Sequence, residues 1–271
     1  MYIDSHQHFW KYNPDRDSWI VDDMKCIRRD FMPSDLKPVL ENNGMDGCVA
    51  IQADQSEEET IFLLKLAAQN YFIKGVVGWV DMQKHNVEER LLNFSKYKKF
   101  KGVRHILQAE PDGFMLKEEF QRGIKALSKL GLTYDLLIKP HQLNEAIMLT
   151  TNFPYQKFVL DHIAKPAISN GIDENWENQI KELSKNKNVF CKVSGLVTET
   201  DGFKPEPDNF KVFLEVVTSA FGTERLLFGS DWPVCLVAAS YNEVLKIITN
   251  YYDKQQLKMI LGGNAIRFYK I

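Results

Sequence analysis

The sequence predicts a single (β/α)8 barrel of the TIM type that spans residues 1–271 as one domain. Three observations lead to this prediction. Eight short apolar runs alternate with helical patterns, which is the count of a closed parallel barrel. The runs are continuous rather than alternating in polarity, as expected for strands that are buried on both faces. A chain of 271 residues, 44% of them hydrophobic, has the length and the apolar content of one such barrel.

The first predicted strand leads directly to two histidines, His6 and His8. Side chains of a strand alternate between its two faces, so we expect Asp4, His6 and His8 to point the same way. A long connection follows, and connections of that length usually have a function. The later strands are predicted at residues 47–52, 73–80, 101–106, 132–138, 158–162, 189–193 and 225–231.

The helices are predicted from caps and from apolar periodicity. Pro33 begins the first helix, with Ser34 as its candidate cap. Ser56 caps the second helix, and we expect the acidic run Glu57–Glu59 after it to be solvated. Gly131 ends the fourth helix. The predicted helices cover residues 33–43, 56–67, 87–94, 116–130, 143–151, 176–183, 210–221, 244–248 and 257–261.

Titratable and polar side chains are concentrated at the C-terminal ends of the predicted strands, where barrels of this type carry out their chemistry. They are His6, His8, Gln52, Trp79, Asp81, Arg104, His105, Lys139, His141, Asp161, His162, Lys192, Ser194, Ser230 and Asp231. A barrel that served only as a scaffold would not need them there. The segment Thr198–Asp208 follows the seventh strand on the same face, and we expect a mobile lid there.

Composition argues against several classes of partner. The net charge is −2 and no long basic run occurs, so nucleic acid is not expected as a partner. No run of about 18 apolar residues occurs, so no membrane span is expected. The four cysteines lie far apart, each in or beside an apolar stretch, which favours buried free thiols and a cytoplasmic protein. A homo-oligomer is possible, although no pattern specifies one.

Four sequence blocks resemble the amidohydrolase superfamily, and within it the branch that hydrolyses lactones. They are Asp4–Trp10, Gly102–His105, Leu160–Pro166 and Phe228–Pro233, and they occur in the order of that branch. The branch includes hydrolases of fucono- and rhamnono-lactones and a pyrone-dicarboxylate lactonase. The resemblance implies a small-molecule lactone as the substrate and places the catalytic groups on His6, His8, His162 and Asp231.

The resemblance also implies a metal site, with one departure. Many superfamily members carry a further metal ligand on the middle strands, but here no histidine occurs on the fifth strand before His141. We therefore do not expect a two-metal centre. One divalent metal, with zinc favoured, could be held by His6, His8, Asp231 and His162, because these are nitrogen and carboxylate ligands. A metal-free site remains an alternative, since members of this branch can work without metal.

Opening a lactone needs a base for the water, a donor for the oxyanion and a proton for the departing alkoxide. Asp231 is the candidate base, and His6, His8 and His162 would polarise the carbonyl group. Side chains that could contact the substrate are Arg104, His105, Lys139, Trp79 and Trp232. We favour a neutral polyol lactone of the fucono or rhamnono type.

Several of these residues have structural alternatives. Asp231 could cap a helix, Lys192 could belong to an ion pair, and Trp79 and Trp232 could belong to the core. Arg104 could pair with Asp135, and only one of Arg104 and His105 should reach the site, because neighbours on a strand face opposite ways. At the level of function, the alternatives are a decarboxylase or other carbonyl hydrolase of the same superfamily, and a non-catalytic binding barrel.

Overall fold

The computed structural model describes residues 1–271 and contains one eight-stranded parallel sheet in sequential order. The strands are β1 (Ile3–Gln7), β2 (Gly47–Ile51), β3 (Ile73–Gly78), β4 (Phe100–His105), β5 (Thr133–Leu136), β6 (Phe158–Leu160), β7 (Val189–Val193) and β8 (Leu226–Phe228). Nearly all of their side chains are buried, as expected for strands covered on both faces. The predicted (β/α)8 barrel is confirmed.

The barrel closes between β1 and the residues that follow β8. The backbone N–H of His8 donates to the carbonyl of Trp232 at 2.7 Å, and the N–H of Asp231 donates to the carbonyl of His6 at 2.8 Å. Gln7 and Trp232 form a parallel bridge between these two bonds. We call this set of contacts the closing seam. It joins the end of the first strand to the residues after the last strand at the C-terminal edge of the barrel.

Ten α-helices surround the sheet. They are α1 (Pro33–Asn42), α2 (Glu57–Gln69), α3 (Val87–Ser95), α4 (Glu118–Leu130), α5 (Leu143–Asn152), α6 (Glu174–Ser184), α7 (Pro207–Phe221), α8 (Tyr241–Thr249), α9 (Lys254–Lys258) and α10 (Asn264–Tyr269). A π-helical turn, Met259–Gly263, joins the last two. Ser56 caps α2, as predicted. The prediction that Ser34 caps α1 is wrong, because Met32 is the N-cap residue and the Asp35 carboxylate accepts its N–H.

Apolar side chains form two cores. The larger one contains 67 buried residues. The smaller one joins inward side chains of the strands, such as Val49, Val77 and Leu227, to Phe268 and Tyr269 of α10. The last helix therefore packs on its own barrel and covers the inner side chains at the end opposite the closing seam.

Three expectations about individual side chains are wrong. Asp4 does not join His6 and His8, because the pairing of β1 with β2 shifts register between Asp4 and Gln7. Asp4 instead accepts hydrogen bonds from the backbone N–H (2.9 Å) and hydroxyl (2.5 Å) of Ser230. Cys26 is exposed, since it lies on a turn of the long connection after β1, whereas the other three cysteines are buried free thiols.

No helix in the structure is both long and apolar enough to cross a membrane.

The third correction concerns Glu59, which is buried rather than solvated. Its carboxylate accepts the backbone N–H of Ala53 at 3.1 Å and the N–H of Asp54, and so fixes the connection between β2 and α2. Burial raises the pKa of Glu59 to about 8, although these N–H donors oppose the shift.

This pKa predicts a pH dependence of stability. A carboxyl group whose pKa is raised from 4.5 to about 8 on folding favours the folded state below the unfolded pKa. That contribution is lost as the pH rises through about 8. We expect the free energy of unfolding of the wild type to fall, relative to Glu59→Gln, by a few kcal/mol between pH 5 and pH 9. Urea unfolding of both proteins at the two pH values measures the difference. Curves that change in parallel would show that Glu59 is not the responsible group.

Candidate active site

Three imidazoles converge on one carboxylate at the C-terminal edge of the barrel. The Oδ1 atom of Asp231 lies 3.3 Å from Nε2 of His8, 3.7 Å from Nε2 of His6 and 4.0 Å from Nε2 of His162. All four side chains are buried. The structure therefore brings together the four residues that the sequence predicts as catalytic groups and metal ligands.

The backbone of the closing seam sets this arrangement. The seam fixes His6 and His8 against Asp231 through main-chain hydrogen bonds, which do not depend on the side chains. Asp231 itself has a φ of +58°, a left-handed conformation that is uncommon for a residue other than glycine. Such a conformation persists only where the surroundings hold it, and it is enriched at functional sites.

His162 lies on a second left-handed segment. The residues from His162 to Lys165 all have φ between +49° and +64°. Two contacts hold this turn: the indole N–H of Trp176 donates to the carbonyl of Ile163 at 2.9 Å, and Lys165 pairs with Glu199 at 2.8 Å. The prediction that the sixth strand runs through residue 162 is therefore wrong, because β6 ends at Leu160 and the chain turns sharply to aim the imidazole at the site.

The other ring nitrogens of the histidines have fixed partners. Nδ1 of His8 lies 2.9 Å from the carbonyl oxygen of Ile51, which must accept, so Nδ1 carries a proton and Nε2 is the ring nitrogen that faces the site. Nδ1 of His162 lies 2.9 Å from the hydroxyl of Ser194. Partners on the far nitrogen orient an imidazole and fix its tautomer, as they do for metal-bound histidines.

His6 is held by a buried charge network inside the barrel. Its Nδ1 lies 3.1 Å from Nζ of Lys192 and 3.4 Å from Oδ1 of Asp161, so this nitrogen meets both a donor and an acceptor. Lys192 also pairs with Asp135 at 2.5 Å and with Asp161 at 3.0 Å. Lys192 therefore belongs to an ion network, which is the structural alternative predicted for it.

Arg104 lies in the same network and is buried. Its guanidinium is 3.3 Å from Nε2 of His6 and 3.3 Å from Asp161, and it donates to the side-chain oxygen of Gln52 at 2.9 Å and to the carbonyl of that residue. Arg104 pairs with Asp161 rather than with Asp135, although Arg104 and Asp135 are neighbours in the register of β4 and β5. Of the two candidates on β4, it is Arg104 that faces His6.

The charges of the site follow from these contacts. Burial alone would raise the pKa of Asp231, but His162, His8 and His6 outweigh it and hold this pKa well below its usual value. Burial lowers the pKa of His162 to about 4 and lowers the pKa of His6 well below its usual value. Asp231 is therefore ionised, and these two imidazoles are neutral, around neutral pH.

The donor set fits a metal ion. One oxygen or nitrogen atom from each of His6, His8 and Asp231 lies within 4.8 Å of the others. In the neutral imidazole with its proton on Nδ1, the Nε2 lone pair of His8 faces the ionised carboxylate of Asp231 at 3.3 Å, so two acceptors face each other. A cation between these atoms would satisfy both. Neutral imidazole nitrogens with one carboxylate are a ligand set that suits zinc.

The residues predicted to contact substrate do not all reach this cluster. Nδ1 of His105 lies 3.1 Å from Nε1 of Trp79 and its Nε2 lies 2.8 Å from Glu110, so both of its ring nitrogens are engaged outside the cluster. Lys139 is exposed beside the barrel mouth. Trp232 is buried against Phe9 and Phe31, which favours its alternative role in the core. Whether Lys139, Trp79, His105 or Trp232 contacts substrate stays a prediction.

Sequence reasoning missed the residues that support the cluster. The sequence indicates Asp135 as a possible ion-pair partner and Lys192 as either an ion-pair partner or a substrate contact, and it gives Tyr269 no role in the site. Their side chains meet inside the barrel. The alternation along a strand predicts the face on which a residue lies, but it does not predict the partner that its side chain contacts. A charged residue within an otherwise apolar strand was the available signal, since such residues are rarely buried without a partner.

Comparisons with known proteins find a matching family, similar sequences and a similar structure. The model of a family described as "Amidohydrolase" matches residues 3–271. An L-fucono-1,5-lactonase of Burkholderia multivorans is 35% identical, over 99% of this chain and 96% of that protein. An L-fucono-1,5-lactonase of Burkholderia ambifaria is 33% identical, over 99% and 95%. The crystal structure of an amidohydrolase from B. multivorans with bound zinc superposes with a TM-score of 0.96 at 35% identity, covering 100% of this chain and 99% of that one.

The position of His162 predicts a specific glycine requirement. Gly195 has a φ of +65°, and a Cβ atom there would collide with the His162 ring. Gly44 has a φ of +68° and nothing within 4 Å of such a Cβ. Gly44→Ala should cost about 1 kcal/mol of stability from backbone strain. Gly195→Ala should cost about 2 kcal/mol more because of the collision. Urea unfolding measures both, and equal losses would show that the ring moves aside freely.

Proposed function

Since this chain belongs to the amidohydrolase family, we propose that it is an enzyme that hydrolyses the ring ester of a sugar-acid lactone. The observation that carries the proposal is the convergence of three imidazole Nε2 atoms, at 3.3 to 4.0 Å, on the buried carboxylate of Asp231. It supplies an ionised base beside groups that polarise a carbonyl, which is what ester hydrolysis requires.

We propose a neutral 1,5-lactone of the L-fucono type as the substrate. Relatives with that activity cover nearly the whole chain at 33–35% identity. The charges of the site support a neutral substrate, because Arg104 is committed to Asp161 and Gln52, and Lys165 is paired with Glu199. A dicarboxylate would need two free cations, and Arg104 and Lys165 are already paired.

In the proposed reaction, Asp231 takes a proton from water as the oxygen attacks the ring carbonyl. In the tautomer in which Lys192 donates to Nδ1, His6 carries its proton on Nε2. The Arg104 N–H that lies 3.3 Å from that nitrogen then has no acceptor there, and both N–H groups are donors for the developing oxyanion. Collapse of the intermediate breaks the bond between the carbonyl carbon and the ring oxygen. Protonated Asp231 then returns its proton to the departing alkoxide, which leaves the open sugar acid.

We propose that His6, His8, His162 and Asp231 hold one zinc ion. The Asp161 carboxylate can accept a proton from Nδ1 of His6, and that tautomer leaves Nε2 of His6 free as a ligand. When bound, zinc polarises the carbonyl group and lowers the pKa of water. A bound zinc ion would supply the polarisation that the Nε2–H of His6 supplies without it, and the protein residues would still orient the substrate.

The alternatives, a decarboxylase and a non-catalytic barrel, are not favoured, because the full-length relatives are lactonases. A cytoplasmic location is a proposal that the four unpaired cysteines support. A homo-oligomer, the absence of a nucleic-acid partner and a single domain over residues 1–271 stay predictions.

The role of Asp231 is tested by Asp231→Asn. An amide cannot accept the proton of the attacking water, so kcat for L-fucono-1,5-lactone should fall by about 1,000-fold. Acid release followed with a pH indicator measures the rate, against a panel of other sugar-acid lactones. Glu182→Gln, on the exposed surface of α6, is the control and should keep the wild-type rate. No turnover of any lactone by the wild type would refute the function itself.

The zinc site is tested by metal content. The purified protein should bind about one zinc ion per chain, and His8→Ala should weaken zinc affinity by about 100-fold or more, since it removes a ligand. His85→Ala, at an exposed histidine, should leave the affinity unchanged. Elemental analysis and calorimetric titration after chelation give both quantities without an activity assay. Equal affinities in the two variants would place the metal elsewhere.

A further inference from the structure

The side chain of Tyr269 reaches from the last helix into the barrel. Tyr269 lies two residues before the end of the chain, on α10, and its side chain is buried. Its hydroxyl donates to Oδ2 of Asp135 at 2.8 Å. The ammonium group of Lys192 lies 5.8 Å from the centre of its ring. The hydroxyl therefore enters the buried charge network from the side opposite the active site.

A continuous chain of contacts leads from this hydroxyl to His6. Oδ2 of Asp135 accepts from Tyr269 and, at 2.5 Å, from Nζ of Lys192, and Nζ of Lys192 lies 3.1 Å from Nδ1 of His6. The side chains of Asp135, Lys192 and His6 have no exposed surface. No water is therefore at hand to replace a lost partner, and each contact depends on the next.

We propose that Tyr269 is a positioning residue for the reaction. By donating to Asp135, it holds the Asp135–Lys192 pair in place, and Lys192 in turn is held 3.1 Å from Nδ1 of His6, where it fixes the imidazole. This inference rests on the proposed function, in which His6 acts through its Nε2. It makes the C-terminal helix part of the machinery that orients the active site.

The pattern of hydrogen bonds distinguishes this role from packing. The other carboxylate oxygen of Asp135, Oδ1, is buried and has no partner. Tyr269 and Lys192 are therefore the side-chain donors on which the Asp135 carboxylate depends. Removing the Tyr269 hydroxyl leaves Lys192 as the only one. Lys192 is then pulled toward Asp135 and away from Asp161 and His6, because a buried carboxylate that lacks a donor is costly.

The test compares Tyr269→Phe with Tyr252→Phe. Both remove one buried tyrosine hydroxyl with a side-chain partner, but the partner of Tyr252 is Thr218, away from the network. Tyr269→Phe should lower kcat for the lactone by about tenfold or more and leave KM within about twofold. Tyr252→Phe should keep the wild-type kcat. A loss of thermal stability in Tyr269→Phe with unchanged kcat would reduce Tyr269 to a packing residue.

A double-mutant cycle tests whether the effect passes through Asp135. Once Asp135→Asn has removed the carboxylate, Tyr269→Phe should lower kcat by less than twofold more. Losses that multiply would overturn the proposed chain of contacts.

A second measurement does not require activity or the Asp135 variant. In ¹⁵N-labelled protein, the ring nitrogen signals of His6, assigned by comparison with His6→Gln, should shift in Tyr269→Phe and stay in place in Tyr252→Phe. Signals of His6 that do not move would refute the inference even if the enzyme proves to be a lactonase. Signals that do move in a protein that opens no lactone would support the chain of contacts and refute the proposed function alone.

Discussion

The closure of the barrel is the interaction on which the site depends. Two backbone hydrogen bonds, from His8 to Trp232 and from Asp231 to His6, complete the ring of strands. The same bonds set the separation between the two histidines and the carboxylate that they face. Formation of the fold and formation of the site are therefore one event, and the side chains converge because main-chain pairing leaves them no other arrangement.

The charges of the site are buried, and the barrel compensates for them. Lys192 and Arg104 lie with Asp135 and Asp161 in the interior, so cations and carboxylates are balanced in number around a neutral His6. Removing one member of such a network costs more than the network contributes to stability, because the partner left behind stays buried. The left-handed turns at Asp231 and from His162 to Lys165 add strain beside these charges. These turns orient the reacting groups, which explains why the protein keeps them despite the stability that they cost.

The sequence was sufficient for the barrel, the eight strands and the four clustered residues, because strand ends in a parallel barrel share one face. The sequence was insufficient where the backbone departs from the regular repeat of a strand or a helix. A shift in register turned Asp4 toward Ser230, and a left-handed turn ended β6 before His162. Glu59 looked solvated because a helix start usually is, yet its carboxylate caps the neighbouring connection. The partners of Lys192 come from strands far apart in sequence, which no local pattern specifies.

The position of the seam has a consequence for biosynthesis. Asp4 and Ser230, which pair beside the reacting groups, are 226 positions apart in the chain, and α10 comes later still. A nascent chain that emerges from the ribosome as far as β7 already contains three of the four clustered side chains but has no carboxylate for them to face. Contacts between residues so far apart pay a large loop-closure entropy and tend to form late. The protein therefore acquires its chemistry only after β8 and the residues that follow it have been synthesised and have closed the ring.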